Sequence, residues 1–201
     1  MESSYELIDI FPTLVLKTNL KKDSKVNSGL ISVLNNSKGS GIQLNDTYVL
    51  DNMPEFKDLK SKILLHIKEY FEYVYRPVDN IGIYITQSWI NRIEQGGYHH
   101  RHTHPNSFIS GVLYLQTQEG DHILFEKEDN PQIKVEPTIF ERYNSSSWRV
   151  DVKSMDLVLF PSTLMHLVPV KNSKGIRISL SFNTFLKGVL GSQLSCNELA
   201  L

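Results

Sequence analysis

A single cysteine, Cys196, stands in this chain of 201 residues, so no disulfide can form within it. One thiol in a C-terminal tail fits a reducing compartment and a surface position. Long hydrophobic runs are missing too, since no apolar stretch approaches the roughly 20 residues that span a bilayer. The opening Met1 to Tyr5 is polar and acidic, unlike a secretory signal. The expected location is the cytoplasm of the producing or infected cell. Charge of one sign is scarce, with a net charge of −1 and a pI near 6.7. That balance supplies no basic field, so neither nucleic acid nor a membrane is an expected partner. Internal repeats and low-complexity tracts are absent as well. What is there, 40% hydrophobic and 21% charged residues, is the make-up of a soluble globular chain. Its length suits one domain with a sizeable core and is short for two.

Histidine is where the composition becomes uneven. Five of the seven histidines fall between residues 99 and 122. Within His99-His100-Arg101-His102-Thr103-His104, the side chains of His100, His102 and His104 alternate, and a β-strand sends alternate side chains to one face. Converging imidazoles repel when protonated but offer lone pairs to a divalent metal when neutral, so the pattern reads as half of a metal site. Metal affinity is then expected to fall steeply below pH about 6, where a free imidazole takes up a proton. A different strand must supply the other half. The apolar run Met155 to Phe160 ends at Pro161, a short turn follows, and His166 opens the next strand.

Eleven residues after His166, the segment Arg177-Ile178-Ser179-Leu180-Ser181-Phe182-Asn183 alternates polar and apolar side chains. With Ile178, Leu180 and Phe182 packed between two sheets, the Arg177 face would line a cavity. A buried guanidinium there needs an anion, and its planar fork suits a carboxylate. A lone histidine on a strand is usually a surface residue, which is the reading taken for His99 and His122. His100 shares the ligand face and stays open.

Elsewhere the pattern is structural. Residues 5 to 17 read as a broken strand pair interrupted at Pro12. Lys21 to Asn36 reads as a modest helix, and Asn35 to Gly41 as a loop. Pro54 to Tyr75 is the clearest helix, with Phe56, Leu59, Ile63, Leu64, Ile67 and Phe71 in one stripe for packing on a sheet. From Asn80 onward the signal is β, with Trp89 and Asn91 sharing a face and Gly96-Gly97 allowing a turn into the histidines. Glu128 to Ser147 is polar and is expected to loop over the site mouth, bringing Phe140, Tyr143 and Trp148 within reach of a substrate. The expected fold is mainly β with helices (α+β). Its core would be a double-stranded β-helix, a jelly roll of the cupin-like kind, backed by N-terminal helices. As a single domain it would divide into N-terminal strand and helices over 1–78, the core with the metal site over 79–187, and a tail over 188–201.

His102-Thr103-His104, Tyr114, His166 and Arg177-Ile178-Ser179 together resemble the 2-oxoglutarate- and Fe(II)-dependent oxygenases. The resemblance is greatest to the small oxygenases of marine bacteria and cyanophages, which are similar to prolyl hydroxylases, and it covers approximately residues 85 to 186. It implies that His102, His104 and His166 hold Fe(II), that Arg177 and Ser179 anchor 2-oxoglutarate, and that Tyr114 touches the same carboxylate. Trp89, Asn91 and Asn183 are implied as substrate-side residues. The implied reaction uses Fe(II), 2-oxoglutarate and O2 to hydroxylate a small-molecule or peptide substrate, a prolyl residue among the candidates, with release of succinate and CO2. The second ligand in that family is usually a carboxylate, and here the position is His104. Glu94, Asp121 or Glu126 is the alternative donor. Two other readings stand beside this one: a cupin-like three-histidine metalloenzyme that does not use 2-oxoglutarate, and a non-enzymatic, phage-associated jelly-roll binding module. A homodimer is the default assembly.

Overall fold

The computed structural model describes residues 6–20, 31–32, 34–35, 41–43, 46–78, 80–128, 133 and 135–201. Most of the expected helix from Lys21 to Asn36, the loop around Gly39 and part of the Glu128 to Ser147 loop lie outside the described residues. The clearest helical pattern becomes a 3-10 turn, Pro54–Phe56, running into the helix Lys57–Tyr75, which we call α2 after the short α1 at Val49–Asn52. Proline fits the first turn because the N–H it lacks would have no partner there. Leu59, Ile63, Ile67 and Phe71 recur at helical spacing and are buried. The helix stops at Arg76, whose backbone is left-handed (φ 41°) and whose N–H donates to the carbonyl of Glu72.

Among the described residues, ten strands build two antiparallel sheets. They are β1 (Leu16–Asn19), β2 (Gly41–Gln43), β3 (Gly82–Ile93), β4 (His99–His102), β5 (Ile109–Gln116), β6 (His122–Glu126), β7 (Ser147–Asp151), β8 (Asp156–Pro161), β9 (Met165–Val168) and β10 (Arg177–Lys187). The larger sheet has the order β1-β8-β5-β10-β3-β2 and the smaller β4-β9-β6-β7. This is the double-stranded β-helix that the strand pattern predicts. The stretch after residue 187 is more than a tail, because β11 (Val189–Leu190) and β12 (Leu199–Ala200) pair as a hairpin. The strand pair expected over 5–17 does not form. Among the described residues only β1 appears there, and Leu7, Ile8, Ile10 and Phe11, all before Pro12, are exposed chain outside any strand. A proline has no N–H for the ladder, and here the pairing begins only beyond it.

The two faces of the larger sheet do different work. Ile178, Leu180 and Phe182 pack with Leu113, Leu157 and Leu159 against Leu59, Ile63 and Ile67 of α2. These residues therefore cover the helix side and not, as expected, the space between the sheets. The inter-sheet layer is a smaller cluster in which Tyr114, Val158 and Phe160 meet Ile123 and Phe125 of the small sheet. Polar residues of β10 face that second layer.

Gly111 marks the tightest point on the helix side. A Cβ there would lie 2.2 Å from the Phe182 ring and 2.7 Å from Leu159. Both neighbours are fully buried, so neither can yield cheaply. Gly111→Ala is expected to cost roughly 1–3 kcal/mol of stability, read as a lowered thermal midpoint. A midpoint equal to wild type would show that the packing there is loose.

Candidate metal centre

Strands β4 and β9 pair so that His102 lies opposite His166. Beyond β4 the chain turns, and the N–H of His104 donates to the carbonyl of Ser162 at 3.0 Å. That bond pins the segment carrying His104 to the turn before His166. The three rings consequently converge. Ring centroids lie 4.3 Å apart for His102 and His166, 4.9 Å for His102 and His104, and 5.0 Å for His104 and His166. The Nε2 atoms of His104 and His166 are 3.2 Å apart, and the ligand nitrogens of all three residues lie within 4.8 Å of one another. Two rings are oriented by main-chain carbonyls. His102 Nδ1 sits 2.7 Å from the oxygen of His100, and His166 Nδ1 sits 2.9 Å from that of Leu164. An Nδ1–H donated to a carbonyl leaves Nε2 with its lone pair free, the arrangement usual in metal-binding histidines.

Burial is the main reason these rings resist protonation. It lowers His104 to about 3 and His166 to about 4, with the neighbouring imidazoles adding to the effect and the Leu164 carbonyl opposing it in His166. His102 is lowered for the same reason, against its bond to His100. The expected loss of affinity below pH about 6 is therefore displaced downward: in the metal-free protein the His104 and His166 rings keep their lone pairs to about pH 4. In the unfolded chain the same rings take up protons near 6.5. Between those values the unfolded state binds protons that the folded state refuses, so stability falls as pH falls. We expect the urea midpoint of the metal-free protein to decline steadily from about pH 6.5 to about pH 4. A midpoint constant across that window would contradict the burial of neutral rings.

The alternative carboxylate donors are engaged elsewhere. Glu94 bonds Arg92, Glu126 bonds Arg101, and Asp121 pairs with buried Lys171 at 2.9 Å while accepting the Gln118 N–H. Among the described residues, no carboxylate joins the three imidazoles as a possible ligand set.

Arg177 is 4% exposed. It donates through Nη1 to the carbonyl of His122 at 3.4 Å, and its buried Nε has no partner. Its guanidinium carbon lies 5.8 Å from the centre of the Tyr114 ring. Among the described residues no carboxylate pairs with it. A buried cation left this way is set up for an anion. Burial pushes the Tyr114 hydroxyl up to about 12, against the nearby Arg177, so the phenol remains a donor.

Cross-strand register collects the other expected residues on the same face. Ser179 lies opposite both Tyr114 and Asn91, and Ser181 opposite Trp89. The Trp89 ring is 6.1 Å from that of His104. Asn91 spends its Nδ2 on Ser181 Oγ at 3.1 Å. Asn183 accepts from Ser110 at 3.0 Å, in a hydroxyl cluster completed by Ser162 and Ser107. Phe140, Tyr143 and Trp148 are exposed. His122 behaves as an ordinary strand residue, bonded through Nδ1 to the Gly120 carbonyl. His99 does not, because its ring stacks on His102 with centroids 4.4 Å apart. A strict alternation had set it on the opposite face, and the irregular pairing between His99 and His102 is what brings it round.

Residues 87–183, the stretch holding every one of these groups, match the family model described as "Putative 2OG-Fe(II) oxygenase". Over that stretch the chain is similar to the 2OG-Fe(II) oxygenases. It is an enzyme whose cofactors are Fe(II), 2-oxoglutarate and O2. Solved structures share the oxygenase's fold at low identity. HygX from Streptomyces hygroscopicus with iron bound is 14% identical, with 86% of this chain and 82% of that chain covered and a TM-score of 0.56. A prolyl-4-hydroxylase from Pseudomonas putida is 14% identical, with 85% and 92% covered and a TM-score of 0.54. An oxidoreductase of the 2OG-Fe(II) oxygenase family from Burkholderia pseudomallei is 14% identical, with 78% and 76% covered and a TM-score of 0.51. No curated protein matches the oxygenase. No helix among its described residues is long and apolar enough to cross a membrane.

Proposed function

We propose that this oxygenase hydroxylates a C–H bond of a small-molecule or peptide substrate, a prolyl residue being the peptide candidate, and releases succinate and CO2. The observation that carries the reading is Arg177: a buried guanidinium with an orphaned Nε, eleven residues beyond His166 and on the inter-sheet face. His102, His104 and His166 would hold Fe(II) through their free nitrogens. Arg177 would grip the far carboxylate of 2-oxoglutarate as a charge-assisted pair, with Tyr114 and Ser179 donating hydroxyl hydrogen bonds to the same group. When bound, the iron and its co-substrate supply the oxidising chemistry by oxidative decarboxylation with O2. The chain's own part is to keep three imidazoles neutral, orient the diacid and exclude water. Trp89 beside His104, with Asn91 and Asn183 on the neighbouring strands, would form the substrate side. The substrate class draws support from two neighbours: HygX is known with hygromycin B bound, a small molecule, and the Pseudomonas putida protein is a prolyl-4-hydroxylase.

Anaerobic addition of Fe(II) and 2-oxoglutarate is expected to produce the weak visible charge-transfer band of a chelated keto acid. Admission of O2 should then yield succinate. Absence of both the band and succinate would leave a three-histidine metalloenzyme independent of 2-oxoglutarate as the better reading.

A further inference from the structure

The strand that carries His102 holds a second group of imidazoles outside the interior triad. The ligand nitrogens of His99, His100 and His102 lie within 4.8 Å of one another. Their ring centroids are 4.4 Å apart for His99 and His102, 5.0 Å for His99 and His100, and 5.1 Å for His100 and His102. Regular pleating would send His99 away from the other two. The break in register between His99 and His102 gathers all three, as a bulge does when it re-aims a side chain. Exposure falls along the row: His100 is exposed, His99 and His102 are half-buried, and His166 is buried. An ion arriving from solvent meets His100 first.

We propose that His99, His100 and His102 form an outer divalent-metal site that shares His102 with the interior triad, so that the chain holds one ion at a time. The proposal rests on the reading of His102, His104 and His166 as the interior metal site. His102 donates its Nδ1–H to the His100 carbonyl at 2.7 Å, which leaves it a single lone pair, and one lone pair serves one ion. An all-imidazole, partly exposed donor set suits Zn(II), Ni(II) or Co(II). In excess, such an ion occupies the outer site by drawing His102 away from the interior one, and so competes with iron through a residue common to both.

Ni(II) tests this as a redox-quiet probe, by titration calorimetry of the full chain. Wild type is expected to bind one Ni(II). His166→Ala is expected to keep binding one, through the outer set, and the double variant His100→Ala/His166→Ala to bind none. Far-UV circular dichroism checks that each variant folds, and His104→Ala, at a half-buried position, replaces His166→Ala should the latter unfold. Two ions on wild type would overturn the sharing of His102. One ion on wild type but none on His166→Ala or His104→Ala would overturn the outer site and leave the interior reading intact. Undiminished binding by the double variant would also overturn it. No Ni(II) on wild type would sink both.

Discussion

Arg177→Ala is expected to bind iron as wild type does and to lose 2-oxoglutarate. The guanidinium is buried, makes one long bond to the His122 carbonyl and has an idle Nε, so no carboxylate among the described residues neutralises its charge. Removing one side of a desolvated, charge-assisted pair costs about 2–5 kcal/mol, which is a loss of roughly 30-fold or more in co-substrate affinity. The metal should not feel the change, since His102, His104 and His166 are oriented by the carbonyls of His100 and Leu164 and by the Ser162 turn. Metal titration and the keto-acid charge-transfer band separate the two effects. An Arg177→Ala enzyme that still turns over at the wild-type rate would show that no diacid is anchored there.

His104→Ala should do the reverse and remove iron from the interior site. The three nitrogens close within 4.8 Å, and deleting one leaves the interior set two ligands, with none of the nearby carboxylates considered above free to replace it. Glu94 is bonded to Arg92, Glu126 to Arg101, and Asp121 to Lys171. Second-shell losses alone weaken metal sites by about 10–100-fold, so loss of a ligand is expected to cost on the order of 100-fold or more in Fe(II) affinity and to abolish succinate formation. His104→Asp provides the contrast. A carboxylate lowers the charge of the loaded site and suits a hard divalent ion, so part of the iron affinity should return. Wild-type iron affinity in His104→Ala would mean that another group completes the site. Stability needs a parallel measurement, because His104 also stacks on His166.

Local pattern was enough to read several features correctly from the chain alone. The apolar stripe of α2, the alternation of β10 and the strand at His122 to Glu126 all appear where the periods of 3.6 and 2 place them. Such periods are properties of neighbouring residues and need no partner to be legible. Three things were decided only by the folded molecule. Alternation shows that Ile178, Leu180 and Phe182 share a face, but only layer packing sets that face against α2 and leaves Arg177 toward the small sheet. Register between residues separated by more than sixty positions sets His102 opposite His166, and the bulge beside it brings His99 into the row. Burial, a sum over the whole surrounding fold, holds His104 and His166 neutral well below the pH at which a free imidazole titrates. Each is a long-range effect, for a strand carries in its own residues the side each chain atom takes but not what will be packed against it.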